Sequence, residues 1–351
     1  MSDVQTVQPT QALGIWYSFL RWFDSWAGLE LTKSDGPPKV DWIRSVPFIV
    51  LHLMCLGVLF VGWSWTAVAV TIAFYYIRMF AITGWYHRYF SHRTFKTSRT
   101  VQFLFALLGG TCTQRGPLWW AGHHRHHHIA SDTPEDVHSP RQGGFWWSHM
   151  GWIMSQTFYA PRLKSIADFA KFPELRFLDR YDVLVPFLTG VGMFFFGKLL
   201  EAYAPELGTN GPQMLIWGYF ISTVALFHGT CTINSLSHVY GAQRYETGDD
   251  SRNNFFLALI TMGEGWHNNH HYYPASTRQG FYWWEIDMTY YCLKGLEWLG
   301  LIWDIREVPD YVREGKTRQD SDRSVLKKKI EAAVKAAEIP APQPQLELTP
   351  P

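Results

Sequence analysis

The sequence predicts an all-α integral membrane protein: four transmembrane helices beneath a cytoplasmic helical cap that holds a metal site. Three observations carry that expectation. First, four apolar runs approach the length of a membrane helix, roughly 20 residues. They are Val46–Trp63, Thr66–Tyr86, Val183–Leu200 and Met214–Asn234. Second, 18 tryptophans are more than a soluble core needs, and Trp and Tyr collect at membrane interfaces. Third, 14 of the 15 histidines fall between residues 87 and 271, so imidazole is concentrated where it can converge. Neutral imidazole is the commonest protein metal ligand, and eight histidines in three tight clusters are too many for one ion. A two-metal site at a membrane surface is expected.

Charge placement orients the spans. The Val61–Thr66 connection carries no Lys or Arg, and only Lys198 lies between Val183 and Leu215. The 87–182 stretch carries twelve, the part after His238 thirteen and residues 1–45 four. By the positive-inside rule both termini and the central stretch are cytoplasmic. The formal net charge of +1 gives no reason to expect a nucleic-acid partner, and no cleavable signal peptide is read at the start.

In chain order, residues 1–45 form a cytoplasmic N-terminal segment. Positions 1–12 are polar and loose, and Ile15–Leu31 is an amphipathic aromatic stretch suited to lie in the interface. Residues 46–300 hold the four spans (46–63, 66–86, 183–200 and 214–234) and the histidines. The apolar stretch Val101–Cys112 is too short to cross. Segments of about 10–14 residues dip and return instead, which keeps all histidine clusters on one side. Asp35–Val40 and Asp132–Gly144 are loops, and Phe281–Leu301 is a cap helix. Residues 301–351 form a cytoplasmic tail, with a polar helix over Ser324–Ala337 and disorder in the Pro-rich 340–351. Cys55, Cys112, Cys231 and Cys292 are scattered and read as packing residues.

The clusters are His87-Arg-Tyr-Phe-Ser-His92, His124-Arg-His-His127-His128 and His267-Asn-Asn-His270-His271. In H-x-x-H-H, positions i, i+3 and i+4 share one helix face. His87 and His92 stand about 140° apart on an α-helix that turns roughly 100° per residue. They converge only if the second span bends or frays, or else they bind different metals. His123 and His126 offer an alternative register for the middle cluster and are expected to be bystanders. His52, His149 and His228 read as interfacial or core histidines, and the role of His138 is open.

Together these segments resemble the membrane fatty acid desaturases, particularly the stearoyl-CoA-type Δ9 acyl desaturases. The matching residues are HRYFSHRTFK (87–96), GHHRHHHIASDTPEDVHSPRQGGFWWSHMGW (122–152), NSLSH (234–238) and GEGWHNNHHYYP (263–274). The resemblance covers roughly residues 45–300. It implies a histidine-box di-iron site with nine ligands: His87, His92, His124, His127, His128, His238, His267, His270 and His271. It assigns a metal-bound water to Asn234 and places Asp132, Asp136 and Glu264 behind the ligands, accepting their outer ring N–H groups. Gln114, Trp120 and Thr230 would shape the bend of an acyl tunnel, with Tyr75 and Met79 closing its end. Trp119, Trp146 and Trp147 are left as interfacial anchors.

The implied activity is oxygen-dependent introduction of a cis double bond, at Δ9, into a saturated acyl chain, with two Fe2+ ions and O2. The carrier expected is acyl-CoA. Gly122-His123 stands where the animal enzymes have Arg-Asp, so a glycerolipid or acyl carrier protein remains an alternative. The chain carries no haem-binding segment, iron–sulfur cysteine set or G-x-G-x-x-G, so electrons must come from a separate donor, a ferredoxin or a b-type cytochrome with its reductase. Competing readings are a histidine-box hydroxylase and a membrane metal transporter. Transport needs polar groups through the bilayer, and Arg78 is the chief charge inside the spans.

Overall fold

A computed structural model describes residues 11–29 and 38–315. Its architecture is mostly helical. Four helices are long and apolar enough to cross a membrane: Trp42–Val61, Trp65–Ser91, Leu184–Tyr203 and Gly211–His238. Each contains or closely matches one apolar run of the sequence, but the second and fourth continue past the apolar stretch into the histidine region. Asp41 caps the first span by accepting from the Arg44 amide (3.0 Å), and Ser64 caps the second through the Ala67 amide (3.1 Å). Gly62, at φ +64°, makes the tight turn between them.

Burial divides the spans into two kinds. In an apolar 18-residue stretch of each, only 11 % and 22 % of the first and third are buried, against 39 % and 56 % of the second and fourth. The second and fourth therefore form the core and carry His87 and His238 at their ends, while the first and third offer apolar side chains outward. Arg78, fully buried in the second span, ties it to the fourth. Its guanidinium donates to Thr223 Oγ1 (2.7 Å) and Ser222 Oγ, and to the Thr111 carbonyl (3.1 Å).

The remaining elements build a cap. Arg99–Gly110 is a 12-residue helix, Pro117–Ala130 carries the middle histidines and His267–Tyr272 carries the last. A short antiparallel pairing, Lys96–Thr97 with Ile302–Trp303, and three isolated bridges, Val40 with Ser155 and Asn253 with Ala242 and Trp266, are the β-structure among the described residues.

Several expectations change. The Phe281–Leu301 helix is only Met288–Trp298. Asp287 fixes its start by capping the Tyr290 amide (3.0 Å), while its other oxygen takes the Gln279 amide (2.7 Å) and holds 279–286 as a loop. The amphipathic N-terminal stretch is helical over Gln11–Leu20, earlier and shorter than Ile15–Leu31, so residues 11 and 12 are not loose. Trp119 is not an interfacial anchor: it is buried and stacks on Trp152, whereas Trp146 is 68 % exposed. Residues 1–10, 30–37 and 316–351, with the Ser324–Ala337 and 340–351 expectations, lie outside the described residues.

Candidate metal centre

The second span delivers its histidines through a change of helix type. Ala81–Ser91 is a π-helix, and the His92 amide bonds the His87 carbonyl at 3.2 Å, an i→i+5 contact. The wider turn brings residues five apart onto nearly the same face, and the two rings lie 4.9 Å apart. Arg125, the residue after His124, stabilises this turn by donating to the carbonyls of Phe90 (2.7 Å) and Ser91 (2.9 Å), groups left without a helical partner at a C-terminus.

Among the described residues nine histidines converge in two groups, and they are the nine named from the sequence. His87, His92, His124, His128 and His270 form one; His127, His238, His267 and His271 form the other. Within each group one ring nitrogen per residue lies within 4.8 Å of all the others. Helix geometry explains the split. Residues four apart return to nearly the same face of an α-helix, whereas adjacent residues point well away from each other. His124 and His128 therefore share a group, while His127, next to His128, points to the other. The helix His267–Tyr272 repeats the device in reverse, sending His267 and His271 to the second group and His270 to the first. His238 arrives on a 3₁₀ turn, Leu236–His238, at the end of the fourth span.

Contacts between the inner nitrogens fit metal ligands better than hydrogen bonds. Nε2 of His124 is 2.9 Å from that of His92 and 3.0 Å from that of His128. Nε2 of His270 is 2.9 Å from both His87 and His128. A ring nitrogen has one lone pair or one proton, so it cannot serve two such partners well. Two nitrogens about 2.1 Å from one ion and at right angles lie about 3.0 Å apart. In the second group the Nε2 atoms of His238 and His267 are 3.1 Å apart, and buried Nε2 of His127 and of His271 has no hydrogen-bond partner among the described residues.

Outer nitrogens meet carboxylates. His238 Nδ1 contacts Asp132 (2.9 Å), His127 Nδ1 contacts Asp136 (3.1 Å) and His87 Nδ1 contacts Glu264. Sequence reasoning missed a fourth, Asp249, 2.6 Å from His271 Nδ1. That acid lies in an ordinary loop well before its partner in the chain, where no spacing rule points to it. Glu264 is steadied by Arg88 (2.9 Å) and Gln279 (3.0 Å), and Arg88 also pairs with Asp287 (2.9 Å). Such acids fix the ring tautomer, leaving the inner lone pair facing the site.

Electrostatics agree with neutral ligands. Burial, then repulsion from neighbouring imidazoles, holds His92, His124, His128, His267 and His270 well below the ordinary histidine range. Burial pushes His271 down to about 4, although Asp249 opposes it. Burial opposes ionisation of Asp132, Asp136, Asp249 and Glu264, yet their histidine contacts and hydrogen bonds keep all four below the ordinary carboxylate range.

His123 and His126 sit apart from both groups. His123 contacts the Ala160 carbonyl and His126 that of Glu135, both at 3.1 Å. His138, whose role the sequence left open, does not sit apart: with His127 and Asp136 it offers ligand atoms that lie within 4.8 Å of one another, and its ring centroid is 4.3 Å from that of His127. His52, His228 and His149 line up in a row, with nitrogen contacts of 3.1 and 3.0 Å.

Two cavities reach the site. A large one of about 790 Å³ is lined by Gln114, Trp120, His124, Thr230 and Asn234, among others. A small one of about 40 Å³ shares Trp120, His124, Thr230 and Asn234 and is lined also by Met79, Ile82 and Thr83. Gln114 Nε2 donates to Thr230 Oγ1 (3.0 Å), and Trp120 stacks on His124. Tyr75 borders neither cavity. Its hydroxyl bonds the Ile260 carbonyl (2.8 Å) and it packs behind Met79, against Gly229.

Comparison with known proteins decides the family. Residues 63–296 match the model of the fatty acid desaturase family. The chain belongs to that family. It is 34 % identical to the sn-1 stearoyl-lipid 9-desaturase of Anabaena variabilis, over 77 % of this chain and 95 % of the relative. It is 36 % identical to an acyl-CoA 5-desaturase of Anemone leveillei, over 84 % and 90 %. Against a Δ9 acyl-lipid desaturase of Arabidopsis thaliana the identity is 35 %, over 76 % and 84 %. This desaturase is thus an oxidoreductase of fatty acyl chains, and its relatives use different carriers and bond positions.

Proposed function

We propose that this desaturase holds one ferrous ion in each histidine group and uses O2 to place a cis double bond at Δ9 of a saturated acyl chain. The observation that carries the reading is the five-and-four division of nine histidines, with carboxylates behind four of them. Zinc binds such nitrogens more tightly but has no redox chemistry, so iron is the functional choice. When bound, the iron pair with O2 supplies the oxidation that takes one hydrogen from each of two adjacent methylenes.

The chain's own residues position and exclude. Asp132, Asp136, Asp249 and Glu264 keep the ligand rings in the metal-binding tautomer. Trp120, Gln114 and Thr230 turn the acyl chain past His124, Asn234 holds a water beside the ions, and Met79 stops the methyl end. Such placement is the protein's share of catalysis. The positive-inside charge pattern supports a cytoplasmic cap and cytoplasmic termini, with 46–300 as the catalytic domain and 301–351 as a tail. Electrons come from a separate ferredoxin or b-type cytochrome.

The test is expression in a host lacking its own Δ9 desaturase, with fatty acids analysed by gas chromatography and mass spectrometry. A 9-cis monoene is expected. A hydroxylated acid, or a double bond elsewhere, overturns the reading.

A further inference from the structure

His138 lies beside the metal centre but belongs to neither histidine group. The loop after the helix Pro117–Ala130 folds back so that Asp136 and His138 both meet His127 on that helix. Val137 between them is buried and packs with Trp119 and Trp152, which fixes the turn. The Asp132 amide (2.9 Å) and the His138 amide (3.2 Å) hold the Asp136 carboxylate in place. His127, Asp136 and His138 are all buried, and one ligand atom of each lies within 4.8 Å of the other two.

Hydrogen bonding leaves this trio unfinished. His127 Nδ1 sits midway between the two Asp136 oxygens, at 3.2 and 3.1 Å, longer than the roughly 2.7–2.9 Å of a good charge-assisted bond. His138 Nδ1 is 3.8 Å from Asp136 Oδ1, beyond hydrogen-bond reach, and has no partner among the described residues. Burial, then repulsion from His127, holds His138 down to about 3, so its ring is neutral and keeps a lone pair. Atoms that share one ion at about 2.1 Å lie about 3.0–3.4 Å apart in right-angled to tetrahedral geometry. Separations of 3.1, 3.2 and 3.8 Å therefore need little closing. Two imidazoles and a carboxylate are a donor set that zinc accepts. His138 also lines the large cavity, which gives an ion a way in.

We propose that His127, Asp136 and His138 form a third cation site that takes zinc, and that zinc bound there shuts the enzyme down. The ion binds at Nδ1 of His127 in place of the proton, and that proton leaves to solvent with no change of oxidation state. His127 then carries a dication on each ring nitrogen, one of them the ion of the second histidine group, and like charges that close repel. Asp136, drawn to the zinc, no longer sets the His127 tautomer. The site itself is independent of the desaturase reading, and the loss of turnover rests on it.

The experiment uses the full-length protein in nanodiscs, loaded anaerobically with iron. Zn2+ alone is added, free ion is removed, and bound metals are counted by mass spectrometry. Wild type should gain about one zinc. His138→Phe, whose ring keeps the packing on His127 and Trp152, should gain none. Turnover is read as monoene from stearoyl-CoA and stearoyl-lipid supplied together with an electron donor. It should fall roughly ten-fold in zinc-treated wild type and by less than about two-fold in the variant. Without zinc, both proteins should hold two irons and make product at similar rates. Should His138→Phe fold poorly, His138→Leu must lose the same zinc, and zinc X-ray absorption of wild type must show two imidazoles rather than four or five. Equal zinc in wild type and variant, or no added zinc in wild type, overturns the site. Zinc gained in both only as iron is lost lies in the histidine groups and overturns it too. Added zinc with undiminished turnover overturns the inhibition. Absence of product even without zinc contradicts the desaturase reading, while the zinc count still decides the site.

Discussion

Replacing Asp249 with Asn tests how the loop acids hold the metal centre. Asp249 Oδ2 faces His271 Nδ1 at 2.6 Å, while Oδ1 accepts from Thr247 Oγ1 (2.6 Å), Ser251 Oγ (2.5 Å) and the Ser251 amide (3.1 Å). In Asn, the amide oxygen must keep those three donors, so the NH2 group turns to His271. The ring then accepts at Nδ1 and carries its proton on Nε2, the atom that faces the second histidine group. Loss of such a support costs about 10–100-fold in metal affinity, or roughly 1.4–2.8 kcal/mol. The assay is chelator competition on iron-loaded wild type and variant under anaerobic conditions. One ion should leave at about 10–100-fold lower chelator concentration while the other, among His87, His92, His124, His128 and His270, stays at the wild-type midpoint. Two unchanged midpoints refute the reasoning, and loss of both ions together refutes the independence of the groups.

Further outcomes follow from the same geometry. Met79→Ala, by lowering the floor of the small cavity, should move preference towards chains longer by roughly two carbons without moving the double bond, read as the product profile of a host fed mixed saturated acids. An unchanged profile contradicts that floor. Arg88→Met leaves Glu264 and Asp287 buried without their cation and should destabilise by about 3–5 kcal/mol, measured by denaturant unfolding of the detergent-solubilised protein. A cost under about 1 kcal/mol contradicts the role of that pair. In the metal-free protein, His271 protonates at about 4 but near 6.5 when unfolded. Between these values the unfolded chain binds more protons, so stability should fall as pH drops from about 6.5 towards 4. A melting temperature flat across that window contradicts it, and His271→Asn should lessen the slope.

The spans and eight of the nine histidines were legible because their signals are local. An apolar run of roughly 20 residues and an H-x-x-H-H spacing need no knowledge of distant partners. His87 and His92 were legible only as a puzzle. Their wide separation around an α-helix disappears in a π-helix, a choice of backbone register that hydropathy does not record. The division of the middle cluster was likewise present in the 3-versus-4 spacing, yet only the facing helix at 267–272 reveals that one histidine of each triplet crosses to the other group. His238 came from family resemblance rather than clustering. Asp249 was invisible because its role depends on a loop folding back onto His271. The overlong cap helix at 281–301 came from apolar composition, which outweighed a capping acid, Asp287, shared with the buried Arg88.

The central claim is tested most directly by counting iron per chain. Wild-type protein loaded anaerobically should hold two ferrous ions and make a monoene. His270→Ala and His127→Ala, one from each group, should each hold about one ion and make none. A wild type that saturates at one ion, or either variant retaining two ions and activity, would contradict the two-group metal centre.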